Sequence, residues 1–187
     1  MKALSNVVIP GSIADIAKQT NRSIAETFMS CSVIILVDTS GSMDTNDSRG
    51  GRTRYEVACD ELATLQGNLP GKIAVISFSS DAIFCPNGQP TFIGAGTRME
   101  QALQFAKIAD LDGVRFILIS DGEPENGPET LDIAKTYKNK IDTIYVGPEG
   151  GSGSSFLARL AKASGGQTVT ADRAKELAPV IQHLLAA

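Results

Sequence analysis

The stretch "CSVIILVDTSGSM" (residues 31–43) places an apolar run directly before a group of side chains that end in oxygen. Residues 31–37 have the length and the β-branched content of a strand that is covered on both faces. Asp38, Ser40 and Ser42 then follow at alternate positions. A buried strand that ends in a carboxylate and two hydroxyls is typical of a sheet whose strand ends carry a binding site.

Further runs of strand length follow and alternate with segments of helical period, in which residues such as Ala58, Leu62 and Leu65 share one face. Only a short turn separates two of these runs, which predicts a hairpin and one antiparallel edge strand. The sequence therefore predicts an α/β fold, a doubly wound, Rossmann-like three-layer sandwich around a mostly parallel six-stranded sheet. We expect its strands at residues 31–37, 72–78, 82–86, 114–120, 141–147 and 166–170.

With 187 residues, the chain is long enough to bury a core of its own. We divide it into an N-terminal helical extension, residues 1–30, and one domain, residues 31–187. Within the extension, Ser12 and Asp15 form a capping-box signal at the start of a helix. We expect this helix to pack on its own sheet, and docking on a partner is the alternative. At the other end, Pro179 predicts that the last helix starts close to Ala178 or is kinked.

The composition argues against several classes of protein. A net charge of −4 offers no broad positive field for nucleic acid or anionic lipid. Cys31, Cys59 and Cys85 are widely spaced and odd in number, which favours buried thiols in a reducing compartment over disulfides or a zinc site. The apolar runs are too short for a membrane span, and the first residues make a poor signal peptide. We therefore expect a cytoplasmic protein.

A second strand also ends in an acidic turn. The run at 114–120 leads into "DGEPEN", so Asp121 follows its strand as Asp38 follows the first. Between them in sequence, "GAGT" leads into a helix start at Thr97, whose hydroxyl either caps the helix or turns toward the same crevice. Carboxylate and hydroxyl oxygens suit a hard divalent cation, with Mg²⁺ the first choice. Zinc would need Cys or His, and we interpret the single histidine, His183, as a surface residue.

These motifs carry a resemblance to a known family. "DTSGS" at 38–42, the threonine of "GAGT" and the aspartate of "ISDG" resemble the metal-ion-dependent adhesion site of the von Willebrand factor A domain family. The resemblance runs from about residue 31 to the C-terminus and fills all five positions of the motif. It implies that the hydroxyls come from Ser40, Ser42 and Thr97, and that Asp38 and Asp121 contact the metal directly or through water.

The resemblance also implies a function and a class of partner. The metal would be Mg²⁺, with Mn²⁺ or Ca²⁺ as alternatives, and an Asp or Glu of a partner protein would complete its shell. Intracellular stand-alone proteins that this chain resembles often work with AAA+ ATPases of the MoxR type, or in bacterial stress-signalling modules with kinases and phosphatases. We therefore expect a Mg²⁺-dependent adaptor and not an enzyme. An extracellular adhesion domain is the first alternative, and a metal-dependent phosphatase or hydrolase is the second.

The catalytic alternatives lack residues that they need. A phosphotransferase of the haloacid dehalogenase type places a second aspartate where this chain has Ser40. A serine hydrolase needs a base, the only histidine is remote, and no G-x-S-x-G motif occurs. The glycines of "GAGTRM" and "GPEGGSGSS" lack the residues that complete a nucleotide-binding motif. We expect these glycines to let the backbone pass close to the metal crevice or to form a mobile loop beside it.

The loop after the metal motif is rich in charge. We interpret this mixture as a solvated surface. The alternative is that its arginines clamp an acidic side chain of a partner beside the cation. The charged residues of this loop are Asp44, Asp47, Arg49, Arg52 and Arg54.

Overall fold

The computed structural model describes residues 7–186 and contains one six-stranded sheet. The strands are β1 (Val33–Asp38), β2 (Ile73–Phe78), β3 (Ala82–Phe84), β4 (Arg115–Ser120), β5 (Ile141–Tyr145) and β6 (Thr168–Thr170). Their order across the sheet is β3-β2-β1-β4-β5-β6. All neighbouring pairs are parallel except β2 and β3. The predicted fold class, including the antiparallel edge strand, is confirmed.

Seven α-helices accompany the sheet in residues 7–186. None of them is both long enough and apolar enough to cross a lipid bilayer. The helices are α1 (Ile13–Thr20), α2 (Ile24–Phe28), α3 (Arg54–Asn68), α4 (Met99–Ala106), α5 (Gly127–Lys135), α6 (Ser152–Ser164) and α7 (Leu177–Ala186).

The helices form a layer on each face of the sheet. Along β1, Ile34 and Leu36 pack with apolar residues of α1, α4, α5 and α6. The intervening residues of the same strand, Val33, Ile35 and Val37, pack with α3 and α7. Every residue of β1 is buried, as the apolar run at its position predicts for a strand covered on both faces.

The N-terminal segment contains two short helices where the sequence predicts one. Asn21 adopts the left-handed conformation, with φ of 53°, and ends α1. Ser23 then starts α2 with a reciprocal capping box to Glu26. At the start of α1, the Ser12 hydroxyl accepts a hydrogen bond from the Asp15 amide, so only half of the predicted capping box involves these two residues.

This segment packs against the rest of the molecule. Ile13 is 1% exposed and belongs to the core on one face of the sheet. The amides of Ile9 and Ala14 donate hydrogen bonds to the backbone at residues 86–87, at 2.9 Å each. These contacts agree with a helix packed on its own sheet. The domain boundary at residue 30 stays a prediction.

The last helix begins at Leu177, close to the predicted start. Pro179 therefore lies in its first turn, where a missing N–H removes no hydrogen bond of the helix. His183 is exposed on this helix, in agreement with its interpretation as a surface residue.

The topology brings two acidic strand ends together. Strands β1 and β4 are neighbours at the centre of the sheet, and the direction of strand addition reverses there. Val37 pairs with Ile119 in their parallel register. Asp38 is the last residue of β1, and Asp121 follows the last residue of β4, so both carboxylates lie at one crevice.

Candidate metal centre

The Asp38 carboxylate is buried, at 0% exposure, and hydrogen bonds hold both of its oxygens. Oδ1 accepts from the Ser40 amide at 2.8 Å, and Oδ2 accepts from the Ser120 hydroxyl at 2.6 Å. Burial raises the pKa of Asp38 to about 6, and the nearby Asp121 carboxylate adds to the rise, while the hydrogen bonds from Ser120 and Ser40 oppose it. The charge of Asp38 is therefore unfavourable here unless a cation lies nearby.

Three oxygens form a row across the crevice. The hydroxyls of Ser40 and Ser42 lie 3.1 Å apart, and the Ser42 hydroxyl donates to Asp121 Oδ1 at 2.8 Å. Neighbouring ligands of an octahedral Mg²⁺, at about 2.1 Å from the ion, are separated by about 3 Å. The spacing of this row therefore fits adjacent positions around such an ion.

Thr97 lies on a loop that hydrogen bonds hold between the two strand ends. The Gly94 amide donates to the Thr39 carbonyl at 2.8 Å, and the Gly41 amide donates to the Ala95 carbonyl at 3.2 Å. On the other side, the Thr97 carbonyl accepts from the Glu125 amide at 3.0 Å. Helix α4 has its N-cap at the next residue, Arg98, so the Thr97 hydroxyl does not cap this helix.

Arg54 also belongs to this crevice, although its place in a charge-rich stretch of sequence favours a solvated side chain. Its side chain is 8% exposed, and Nη1 donates to Asp121 Oδ2. Nε and Nη2 donate to the two oxygens of Asp47, at 2.9 and 2.7 Å. The guanidinium of Arg54 lowers the pKa of Asp47, chiefly through these hydrogen bonds. Because Arg54 and Asp121 are 67 residues apart in the chain, no local pattern signals their contact.

The interpretation of the charged loop as a solvated surface is thus wrong for Arg54, which is buried. It agrees with the exposure of the other two arginines. Arg49 and Arg52 have side chains that are 54% and 42% exposed, and they pair with Glu61 and Asp60 of α3. All three arginines have acidic partners within the chain.

The start of α6 packs closely on the loop after β4. A Cβ atom on Gly153 would lie 3.0 Å from the Gly122 backbone and 3.2 Å from the Asp121 carbonyl. The glycine-rich segment before α6 lies against the Tyr145 side chain, and the Tyr145 hydroxyl donates a hydrogen bond to the Pro148 carbonyl at 2.9 Å. The expectation that glycines here let the backbone approach the crevice agrees with this packing, although residues 152–155 are helical.

The donor set has the character of a hard-cation site. Within residues 7–186, no group of three or more His, Cys, Asp or Glu side chains could hold a metal ion. The crevice instead combines two carboxylates with hydroxyl groups, and this set fits Mg²⁺ better than zinc. We call the five predicted residues Asp38, Ser40, Ser42, Thr97 and Asp121 the candidate metal centre.

Comparisons with known proteins bear on the fold. No protein-family model and no curated protein matches the sequence. Among solved structures, the chain is similar to an aerotolerance-related membrane protein from Bacteroides fragilis, carrying multiple mutations to serine, with 19% identity and a TM-score of 0.67 over 83% of this chain and 98% of that one. It is also similar to a von Willebrand factor type A protein from Catenulispora acidiphila, with 19% identity and a TM-score of 0.56 over 84% of this chain and 42% of that one.

A third similar structure is the manganese-loaded TRAP protein of Plasmodium vivax, with 16% identity and a TM-score of 0.56 over 83% of this chain and 73% of that one. At such identities the likeness shows the fold alone. This protein therefore has the fold of von Willebrand factor type A domains.

Proposed function

We propose that this protein is a Mg²⁺-dependent protein-binding module that holds the cation at the candidate metal centre and engages an acidic residue of a partner protein. The observation that carries the proposal is the row of oxygens from Ser40, Ser42 and Asp121, spaced at 3.1 and 2.8 Å at the switch point of the sheet. Ser40 and Ser42 would bind the cation directly, and Thr97 would complete the hydroxyl set from the neighbouring loop.

The bonding of the two aspartates supports a role in recognition. Both oxygens of Asp38 already accept hydrogen bonds, and one oxygen of Asp121 accepts from Arg54. A cation held largely by neutral hydroxyls keeps much of its charge, so it would supply an electrophilic position for a carboxylate of the partner. The manganese-loaded Plasmodium vivax protein of the same fold supports a divalent cation, and Mn²⁺ and Ca²⁺ stay as alternatives to Mg²⁺.

We propose further that the protein is an adaptor and not an enzyme. The side chains at the candidate metal centre are hydroxyls and hydrogen-bonded carboxylates, and the single histidine lies exposed on α7. Each carboxylate of this set is already held by hydrogen bonds within the chain, so we expect the set to bind a ligand and not to act as a general base. The partner would belong to an intracellular bacterial complex, such as an AAA+ ATPase of the MoxR type or a stress-signalling module.

Affinity capture from a native lysate tests the adaptor role. The bait is the wild-type protein in Mg²⁺, the same protein in EDTA, and the Asp38→Ala variant in Mg²⁺. Asp44→Ala is the matched control, because it removes an exposed carboxylate from the same loop. We expect a partner that binds the wild type and the control in Mg²⁺ and is lost in the other two samples. Identical captured proteins in all four samples would contradict the proposal.

The absence of catalysis is tested with generic phosphatase and esterase substrates in Mg²⁺ or Mn²⁺. We expect the wild-type protein to show no turnover above that of Asp38→Ala. Turnover that depends on Asp38 would contradict the proposed adaptor role and favour a metal-dependent hydrolase.

A further inference from the structure

An ion-pair network ties the candidate metal centre to a buried arginine. The two oxygens of Asp121 have different partners, since Oδ1 accepts from Ser42 and Oδ2 accepts from Arg54. Asp47 binds Arg54 through both of its oxygens and also lies 3.4 Å from Nε of Arg173. The Arg54 and Asp121 side chains are only 8% and 1% exposed, so solvent screens their interaction little.

The formal charge of the candidate metal centre follows from the charged side chains of this network together with Asp38. Asp38, Asp47 and Asp121 contribute three negative charges, and Arg54 and Arg173 contribute two positive ones, so the formal charge is −1. Binding of a divalent cation would change the formal charge from −1 to +1. Without the guanidinium of Arg54, the loaded centre would be neutral and would attract an acidic group less strongly.

We propose that Arg54 is a positioning residue that sets the selectivity of the centre: it weakens binding of the cation and strengthens binding of a carboxylate to the loaded centre. This inference rests on the proposed function. Arg54 holds Asp121 Oδ2 and thereby leaves Oδ1 directed at the hydroxyl row. Its positive charge repels the cation, and the same charge attracts the acidic group that follows.

The first test compares Arg54→Gln with the wild type. Calorimetric titration with Mg²⁺ measures cation binding, and paramagnetic broadening of the acetate methyl signal on the Mn²⁺-loaded protein measures carboxylate binding. Acetamide is the neutral control ligand. We expect Arg54→Gln to bind Mg²⁺ about tenfold more tightly and acetate several-fold more weakly. Arg52→Gln, the matched control, removes an equal charge that pairs with Asp60 on the surface, and both affinities should stay within about twofold.

A second variant changes the charge in the opposite sense. Asp47→Asn removes a negative charge beside Arg54 without touching Asp121, and Asp47 is 30% exposed, so the fold should tolerate the change. We expect weaker Mg²⁺ binding and tighter acetate binding. A merely structural role of Arg54 would not move the two affinities in opposite directions, nor reverse them between the two variants.

The outcomes separate this inference from the proposed function. If the wild type binds Mg²⁺ and loses it in Asp38→Ala, but the Arg54 and Asp47 variants change both affinities in the same direction or not at all, only the role of Arg54 is overturned. If the wild type binds neither Mg²⁺ nor Mn²⁺, the proposed function fails and the role of Arg54 fails with it. Should Arg54→Gln not fold, Asp47→Asn tests whether the charge of the Arg54 network sets the two affinities, and affinities that are unchanged or that move together in that variant overturn the inference.

Discussion

Ser42 is the residue on which the candidate metal centre depends most, because its hydroxyl lies between the Ser40 hydroxyl and the Asp121 carboxylate. We expect Ser42→Ala to weaken Mg²⁺ binding at least about tenfold, as measured by calorimetric titration. Since Ser42 is exposed, the thermal unfolding temperature in EDTA should stay near that of the wild type. Ser30→Ala is the control. It removes an exposed hydroxyl from the loop that precedes β1, at the end of the strand away from Asp38, and should leave the Mg²⁺ affinity unchanged. Equal affinities for all three proteins would remove Ser42 from the centre.

A second prediction at the scale of the residue concerns Asp110, which lies away from the metal centre and affects the stability of the fold. Burial alone would raise the pKa of Asp110, but hydrogen bonds from Lys107, Lys138 and Asn139 outweigh it and hold the pKa at about 2. Because this value lies below the ordinary 3.8, Asp110 stabilises the fold above about pH 4, and the contribution is lost as the pH falls through 2. Lys107 is 34% exposed, so screening reduces the effect.

We therefore expect Asp110→Asn to lower the free energy of unfolding by about 1–2 kcal/mol at pH 7. Urea titrations at pH 7, 5 and 3 should show this difference shrinking at the lowest pH. Asp132→Asn is the control, because Asp132 also pairs with a lysine three residues away but is 73% exposed. A difference for Asp110→Asn that is constant with pH would show that its hydrogen bonds, and not its charge, stabilise the loop.

Among single residues, the sequence predicts contacts that are close in the chain and misses those that are distant. Asp38 ends β1, and Ser40 and Ser42 follow within four residues of it, so their proximity follows from their closeness in the chain. Asp121 is predictable because it follows a second apolar strand. Arg54 is not, because it belongs to a charge-rich stretch whose arginines are usually solvated, and only the folded chain places it, at the first residue of α3, against Asp121. The assignment of these residues as metal ligands stays a prediction.

At the scale of elements, the strands were easier to predict than the helix ends. The three strands at the centre of the sheet, β1, β2 and β4, are mainly apolar and almost entirely buried, as strands covered by helices on both faces should be. The division of the N-terminal segment into α1 and α2 depends on one residue, Asn21, in a left-handed conformation. Helical spacing continues across Asn21 in the sequence, so the spacing alone does not show the break.

At the scale of elements, the close packing of α6 on the loop after β4 predicts that a larger side chain at their contact disturbs the candidate metal centre. A methyl group on Gly153 would lie 3.0 Å from the Gly122 backbone, which is closer than ordinary van der Waals contact. We expect Gly153→Ala to push this loop away and to weaken Mg²⁺ binding several-fold in calorimetric titration, because Asp121 precedes Gly122. The same change should lower the thermal unfolding temperature in EDTA.

Gly67→Ala, in the last turn of α3, is the matched control for Gly153→Ala. Gly67 lies inside α3, and no atom lies within 4 Å of the place where its Cβ would be. Alanine there should stabilise the protein by about 0.5–1 kcal/mol through helix propensity and leave Mg²⁺ affinity unchanged. Equal Mg²⁺ affinity in both variants would show that the position of α6 does not affect the centre.

At the scale of the whole molecule, cation binding should be coupled to the stability of the fold. The candidate metal centre draws its residues from the ends of β1 and β4 and from the loop before α4, so the centre exists only when the central sheet has formed. A ligand that binds only the folded state stabilises it by mass action, by about 2.7 kcal/mol when its free concentration is 100 times the dissociation constant. For a domain of this size, that corresponds to a rise in unfolding temperature of about 5–10 °C.

We therefore expect saturating Mg²⁺ to raise the unfolding temperature of the wild type by several degrees relative to EDTA, as followed by circular dichroism. Mn²⁺ should act at least as strongly, because it accepts the same oxygen ligands and binds more tightly than Mg²⁺ at most sites. Asp38→Ala should show no shift with either ion, whereas Asp44→Ala should respond like the wild type. An equal shift in the wild type and in Asp38→Ala would place the stabilising cation elsewhere on the molecule. In that case the row of hydroxyls at the end of β1 would be a hydrogen-bonded turn that joins two strands, and the partner would have to bind another surface.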